Sequence, residues 1–152
     1  MNFRILGLPA DKFTHLFELS DAELAAAGGV RRKADGHYPC RVSLTDSKPG
    51  EELVLVNYEH HPVDSPYRMR FAIFVREGEQ TYDSVNEVPE QLRKRMLAVR
   101  SFDSKGMMVD HRLVDGREVV PVIEKLLTPA NVDYLHIHFA SAGCYAARVV
   151  RA

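Results

Sequence analysis

The chain lacks tryptophan, carries only two cysteines in 152 residues, and has a net charge of only -1. It also has no apolar run near the roughly 20 residues that a membrane-spanning helix needs. Each absence narrows the field. Lys plus Arg is 20 against 21 for Asp plus Glu, so nucleic acid and anionic membrane, which favour a strong basic excess, are not expected as partners. The basic run Arg93-Lys94-Arg95 reads as one solvated helix face. The opening "MNFRILGLPADKF" is broken by Arg4 and Pro9 before a signal-peptide apolar core develops, so the expected compartment is the cytoplasm. There Cys40 and Cys144 are expected as thiols rather than a structural disulfide. With no repeat, low-complexity tract or linker, residues 1–152 read as one domain.

What is present is alternation. "NFRIL" reads as a short strand, and Pro9 opens a helical stretch with Phe13, Leu16 and Phe17 on one face. Ser20 and Glu23 form a capping box for "DAELAAAG", which Gly28-Gly29 stops. "VRRKAD", "CRVSLTD", "ELVLVNYEH" and "PYRMRFAIFVRE" read as strands, with a turn at "KPGEE". "PEQLRKRMLAV" reads as an amphipathic helix, and "SFDSKGMMVDHRLV" as a hairpin turning at Ser104-Lys105-Gly106. "EVVPVIEKLL" has helical periodicity interrupted by Pro121, which implies a late start or a kink. "DYLHIHFA" and "CYAARVV" close the chain as strands. Short turns between consecutive strands imply antiparallel pairing, so the expected fold is a single α+β domain: a mainly antiparallel, twisted sheet with two to four helices.

The closing stretch "YLHIHFASAGCYAARV" carries the densest chemistry. A period of two puts Tyr134, His136 and His138 on one face and Leu135, Ile137 and Phe139 on the other. Matching apolar to apolar across a hairpin sets Tyr145, Ala147 and Val149 with the second group. That register predicts a three-residue loop, Ser141-Ala142-Gly143, with Gly143 at positive φ. It places His138 opposite Ala146 and His136 opposite Arg148, and gathers His136, His138, Cys144 and Arg148 on one face.

Three chemistries could use such a face. His-x-His can share one ion with a third ligand from His60, His61 or Asp64, so a divalent metal such as zinc, held by His60, His136 and His138, is one expectation. A cationic neighbourhood lowers a thiol pKa, which makes Cys144, with His136 and His138, the candidate catalytic set. Arginine presents a fork that matches carboxylate or phosphate. Cys40, Arg41, Tyr67, Arg68 and Arg148 are therefore the candidate ligand-binding set for a small anionic metabolite. Arg41 and Arg68, in "PCR" and "PYR", are expected to converge, because an X-Pro step fixes an extended approach. The alternative class is a non-enzymatic homodimeric interaction module pairing through an exposed strand such as "RFAIFV".

The segments "YPCRVSLTDSKPGEELVLVNYEHHPVDSPYR", "GMMVDHRLVDG" and "YLHIHFASAGCYAARVVRA" resemble a bacterial family catalogued as domain of unknown function 1203. The resemblance spans essentially the whole chain. It implies a single-domain architecture and a bacterial source, and it implies no reaction. Similar sequences often carry a second cysteine where this chain has Ala147, so the C-x-x-C of such relatives is absent here.

Overall fold

The computed structural model describes residues 1–152, and its nine strands make two antiparallel sheets. The larger sheet runs in the order β5 (Asp83–Val85), β1 (Phe3–Leu6), β9 (Tyr145–Arg151), β8 (Tyr134–Phe139), β6 (Met96–Phe102) and β7 (Met108–Asp115). The smaller sheet has the order β2 (Gly29–Lys33), β3 (Glu52–His61) and β4 (Met69–Val75). With the short helices α1 (Asp21–Ala26), α2 (Glu90–Arg93) and α3 (Val119–Leu127), this is the α+β domain expected from the alternation. No helix is long and apolar enough to cross a membrane.

Local chemistry explains the helices. The capping box at α1 forms: Ser20 Oγ accepts from the Glu23 N–H at 3.2 Å, and Glu23 accepts from the Ser20 N–H at 2.7 Å. The stretch after Pro9 makes only 3-10 turns, over Ala10–Lys12 and Thr14–Glu18, yet Phe13 and Leu16 are buried. Pro121 falls in the first turn of α3, where its missing N–H has no helical partner to lose. That helix buries Val119, Ile123, Leu126 and Leu127 against Leu97 and Val99 of β6, Leu135 and Ile137 of β8, and Val149 of β9. Each such side chain contributes about 1.5–3 kcal/mol when fully buried. A second core joins the smaller sheet to the 3-10 turns and includes Tyr145 from β9.

Two expected elements are corrected. Residues 40–46 are not a strand: Cys40 makes a single parallel bridge to Phe74, Pro39 bridges Asp46, and Leu44 has φ 51°. Cys40, Arg41, Val42 and Leu44 are all buried, and Cys40, Val42 and Leu44, which would share one strand face, pack into three different clusters. They turn inward because the segment is wedged between the two sheets. The helix expected over 89–99 ends at Arg93, and Met96 already begins β6. Alternation of Leu97, Val99 and Ser101 into the core overrides helical propensity there. Lys94 and Arg95 are correspondingly not a free helix face: both pair with Asp46, at 2.8 and 2.9 Å.

The C-terminal hairpin is also corrected, in its outer half. His136 does pair with Arg148, and Gly143 has the expected positive φ of 80°. The ladder then shifts, so that Ile137 faces Ala147 while His138 faces Tyr145. Ala146 is a bulge, and the connection from Phe139 to Cys144 holds four residues rather than three; it is closed by Gly143 N–H to Phe139 O at 2.8 Å. Tyr145 therefore joins the histidine face, and Cys144 turns to the α3 side. The aromatic ring gains a stack on His60, with centroids 4.9 Å apart, which the regular register would forfeit.

Candidate functional site

Two further bulges shape the same region. On β3, Tyr58 faces Phe71 and His61 faces Met69, so Glu59 and His60 together oppose Arg70. In a regular strand His60 and His61 would point to opposite faces. The extra residue lets both turn inward, and both are buried. On β7 the ladder skips Val109 between the pairs Ser101–Asp110 and Phe102–Met108. Bulges on β3, β7 and β9 thus surround one cleft between the sheets.

The cleft has a volume of about 170 Å³. His60 and His61 line it from β3, His136 and His138 from β8, Arg100 and Phe102 from β6, and Tyr67 and Arg68 from the loop before β4. No aspartate or glutamate lines it. The four imidazoles pack tightly: ring centroids are 5.4 Å apart for His60–His138, 6.1 Å for His60–His136 and 4.9 Å for His61–His136.

Burial keeps these rings neutral. It pushes His138 from 6.5 down to about 3, with nearby Arg100 adding to the effect, and His60 down to about 4. His136 lies well below its ordinary value for the same first reason, with its imidazole neighbours and Arg148 adding to it. A neutral imidazole has one N–H and one lone pair, and the contacts fix which nitrogen carries the proton in two of them. His61 Nδ1 donates to Tyr67 O at 2.7 Å, so its Nε2 accepts from the Tyr134 hydroxyl at 2.6 Å. His138 Nδ1 donates to Gly143 O at 3.0 Å, which leaves its Nε2 as the lone pair. Both nitrogens of His60, and Nδ1 of His136, are buried without a protein partner.

Removing the Tyr134 hydroxyl tests the first assignment. Tyr134→Phe leaves a buried lone pair on His61 without a donor and is expected to destabilise the fold by about 1–2 kcal/mol in urea denaturation. A neutral result would mean that His61 does not depend on this hydroxyl.

Arg100 was not singled out by the sequence and is the most informative residue here. It is half-buried, burial lowers its pKa, and it forms no salt bridge with a carboxylate; its one polar contact is to Met69 Sδ at 3.7 Å. Its strand begins inside residues 89–99, which read as a helix, and Arg100 lies just beyond them. The alternation Leu97, Val99 against Ala98, Arg100 was the signal that could have placed it beside the histidines.

The structure divides the remaining candidates. Tyr67 and Arg68 line the cleft, although Arg68 is also paired with Glu59 at 2.6 Å. Arg148 shares the histidine face but lies over the Tyr134 ring at 3.9 Å and does not line the cleft. Arg41 and Arg68 do not converge. Arg41 is buried, donates to Tyr145 O at 2.7 Å and to Pro39 O, and lies 3.0 Å from Cys144 Sγ. Cys144 accordingly leaves the histidine set for the Arg41 side. Cys40 packs with Ala34 and Leu53 and does not line the cleft, and burial pushes its thiol up to about 12. Asp64 does not line the cleft.

The expected metal set is not carried by the geometry. His60, His136 and His138 are gathered, but no three His, Cys, Asp or Glu side chains are arranged to hold one ion. His60 stacks on Tyr145 and His138 is turned toward Gly143, which spreads the nitrogens. What the arrangement can do is donate and accept hydrogen bonds from neutral rings beside an unpaired cation.

No curated protein and no solved structure matches the chain. A family model described as protein of unknown function (DUF1203) matches residues 37–151, which include every strand that lines the cleft, and the chain belongs to that family.

Proposed function

We propose that the cleft binds a small anionic metabolite, with Arg100 as its anchor and Tyr67 and Arg68 at its mouth. The observation that carries this reading is a half-buried guanidinium without a carboxylate partner in a cleft that no acidic residue lines. Placing a cation where burial disfavours its charge costs stability, and an incoming carboxylate or phosphate offsets that cost by a bidentate, charge-assisted pair. The volume of about 170 Å³ is below the roughly 300–1,000 Å³ of sites for drug-sized ligands, so the ligand is a compound of a few carbons.

Arg100→Gln separates binding from folding. Loss of a hydrogen bond to a charged group removes about 1.5–3 kcal/mol, or about 10–100-fold in affinity, for a panel of small carboxylates and phosphates measured by calorimetry. Thermal stability of the free protein is expected to stay level or rise, because an uncompensated charge leaves. Unchanged affinity in the variant would remove Arg100 as the anchor.

The homodimer alternative meets a partly covered edge. β4, which contains "RFAIFV", is an edge strand with Phe71 exposed, but Cys40 bridges Phe74 and the Arg41 N–H donates to Phe74 O at 3.0 Å along that edge. The metabolite reading is therefore preferred.

A further inference from the structure

The histidines say more about the ligand than its charge. Arg100 is a donor only, and so is satisfied by any anion. The imidazoles are different, because each neutral ring also presents a lone pair that an anion cannot fill. In His61 that lone pair is taken by the Tyr134 hydroxyl. In His138 it lies on Nε2, since Nδ1 is committed to the Gly143 carbonyl. His60 and His136 each carry buried ring nitrogens with no protein partner, and both line the cleft with His138. Three lone pairs therefore lack a donor at one site. An unpaired buried polar atom is costly, as at His60 and His136, and a ligand that brings only acceptors leaves every one of these lone pairs without a donor.

We infer that the ligand carries hydroxyl groups beside its anionic group: a small hydroxylated acid, whose carboxylate or phosphate meets Arg100 and whose hydroxyls donate to the lone pairs of His138, His136 and His60. This rests on the anion reading above and makes it specific. The spread of the nitrogens, which prevents three of them from sharing one ion, suits donors spaced along a short carbon chain. His60 and His136 can return a hydrogen bond through their N–H groups, so a hydroxyl that both donates and accepts is served where an ammonium, a donor only, would also face Arg100 as a like charge.

The experiment compares propionate, lactate and glycerate, which share one carboxylate and add none, one and two hydroxyls. Calorimetry on the full chain at pH 7.5 is expected to show affinity rising about 3–10-fold with each hydroxyl, the worth of one neutral hydrogen bond. In His138→Phe the advantage of glycerate over propionate shrinks. A readout on the unaltered protein guards against a variant that does not fold: the His138 Nε2 nitrogen resonance shifts on adding glycerate and stays in place with propionate. Equal affinity for all three acids, with binding lost in Arg100→Gln, would overturn the hydroxyl inference and leave the anion site standing. Binding of none of them, at any concentration below precipitation, would overturn both. Stoichiometric zinc binding that displaces glycerate and disappears in His60→Phe would assign the lone pairs to a metal and overturn the hydroxyl inference.

Discussion

Replacing Arg41 by methionine is expected to lower stability by about 3–5 kcal/mol, because two buried carbonyls lose their donor at about 1–3 kcal/mol each and the cavity left behind adds to that. Arg41 is 2% exposed. Its guanidinium gives hydrogen bonds to the Tyr145 and Pro39 carbonyls, lies 3.0 Å from Cys144 Sγ and sits over the Phe139 ring at 5.0 Å. Its backbone is tied as well: its N–H donates to Phe74 O in β4, and its C=O accepts from the Leu8 N–H. One residue thus links the smaller sheet, the N-terminal segment and the tip of the β8–β9 hairpin. For a domain of this size the loss corresponds to a fall in Tm of roughly 10 °C. Arg41→Lys keeps the charge but not the fork, and is expected to fall between the two. Urea denaturation of both variants checks this, and a loss below about 1 kcal/mol for methionine would show that the hairpin tip is held by other contacts.

The second large effect is on pH. His60 and His138 are held neutral, at about 4 and about 3 against an ordinary 6.5, and His136 is lowered well below that value. A group whose folded pKa lies below its unfolded one binds more protons when the chain unfolds. Stability is therefore full above about pH 6.5 and is lost as pH falls toward the folded values. Between pH 6.5 and 4.5 His60 and His138 together should remove on the order of 4 kcal/mol, with His136 acting in the same direction, a large part of the 5–15 kcal/mol typical of a domain. Carboxylates lowered in the folded state, such as Asp115 at about 2, begin to lose their contribution only below about pH 5, so the slope between pH 6.5 and about 5 belongs to the histidines. Chemical denaturation at half-unit steps should show the slope, and His138→Leu should flatten it. A stability unchanged between pH 7 and 4.5 would mean that the rings reach water when charged.

Much of this was legible in the residues, and the failures share one cause. The His-x-His face, the apolar face of β8 and the pairing of His136 with Arg148 follow from the two-residue period. So do most of the antiparallel strands. What the period cannot reveal is where it breaks. The bulges at Glu59–His60, Val109 and Ala146 involve no glycine and leave no compositional mark. Each moved a chemically important side chain: His60 into the cleft, Met108 to its rim, Tyr145 onto the histidine face and Cys144 off it. Residues 40–46 failed for a related reason: Cys40, Val42 and Leu44 share one face of a regular period, but the backbone turns, with Leu44 at a φ of 51°, and they pack into three different clusters. Arg100 was missed because the strand that carries it begins within what reads as a helix.

The three bulges also bear on how such a site changes over time. A substitution at Glu59 alters one side chain, whereas loss of that codon restores a regular ladder in which His60 and His61 take opposite faces. One deletion there would turn a histidine out to solvent. Around this cleft, single-codon insertions and deletions are the steep steps in sequence space, and point substitutions the shallow ones.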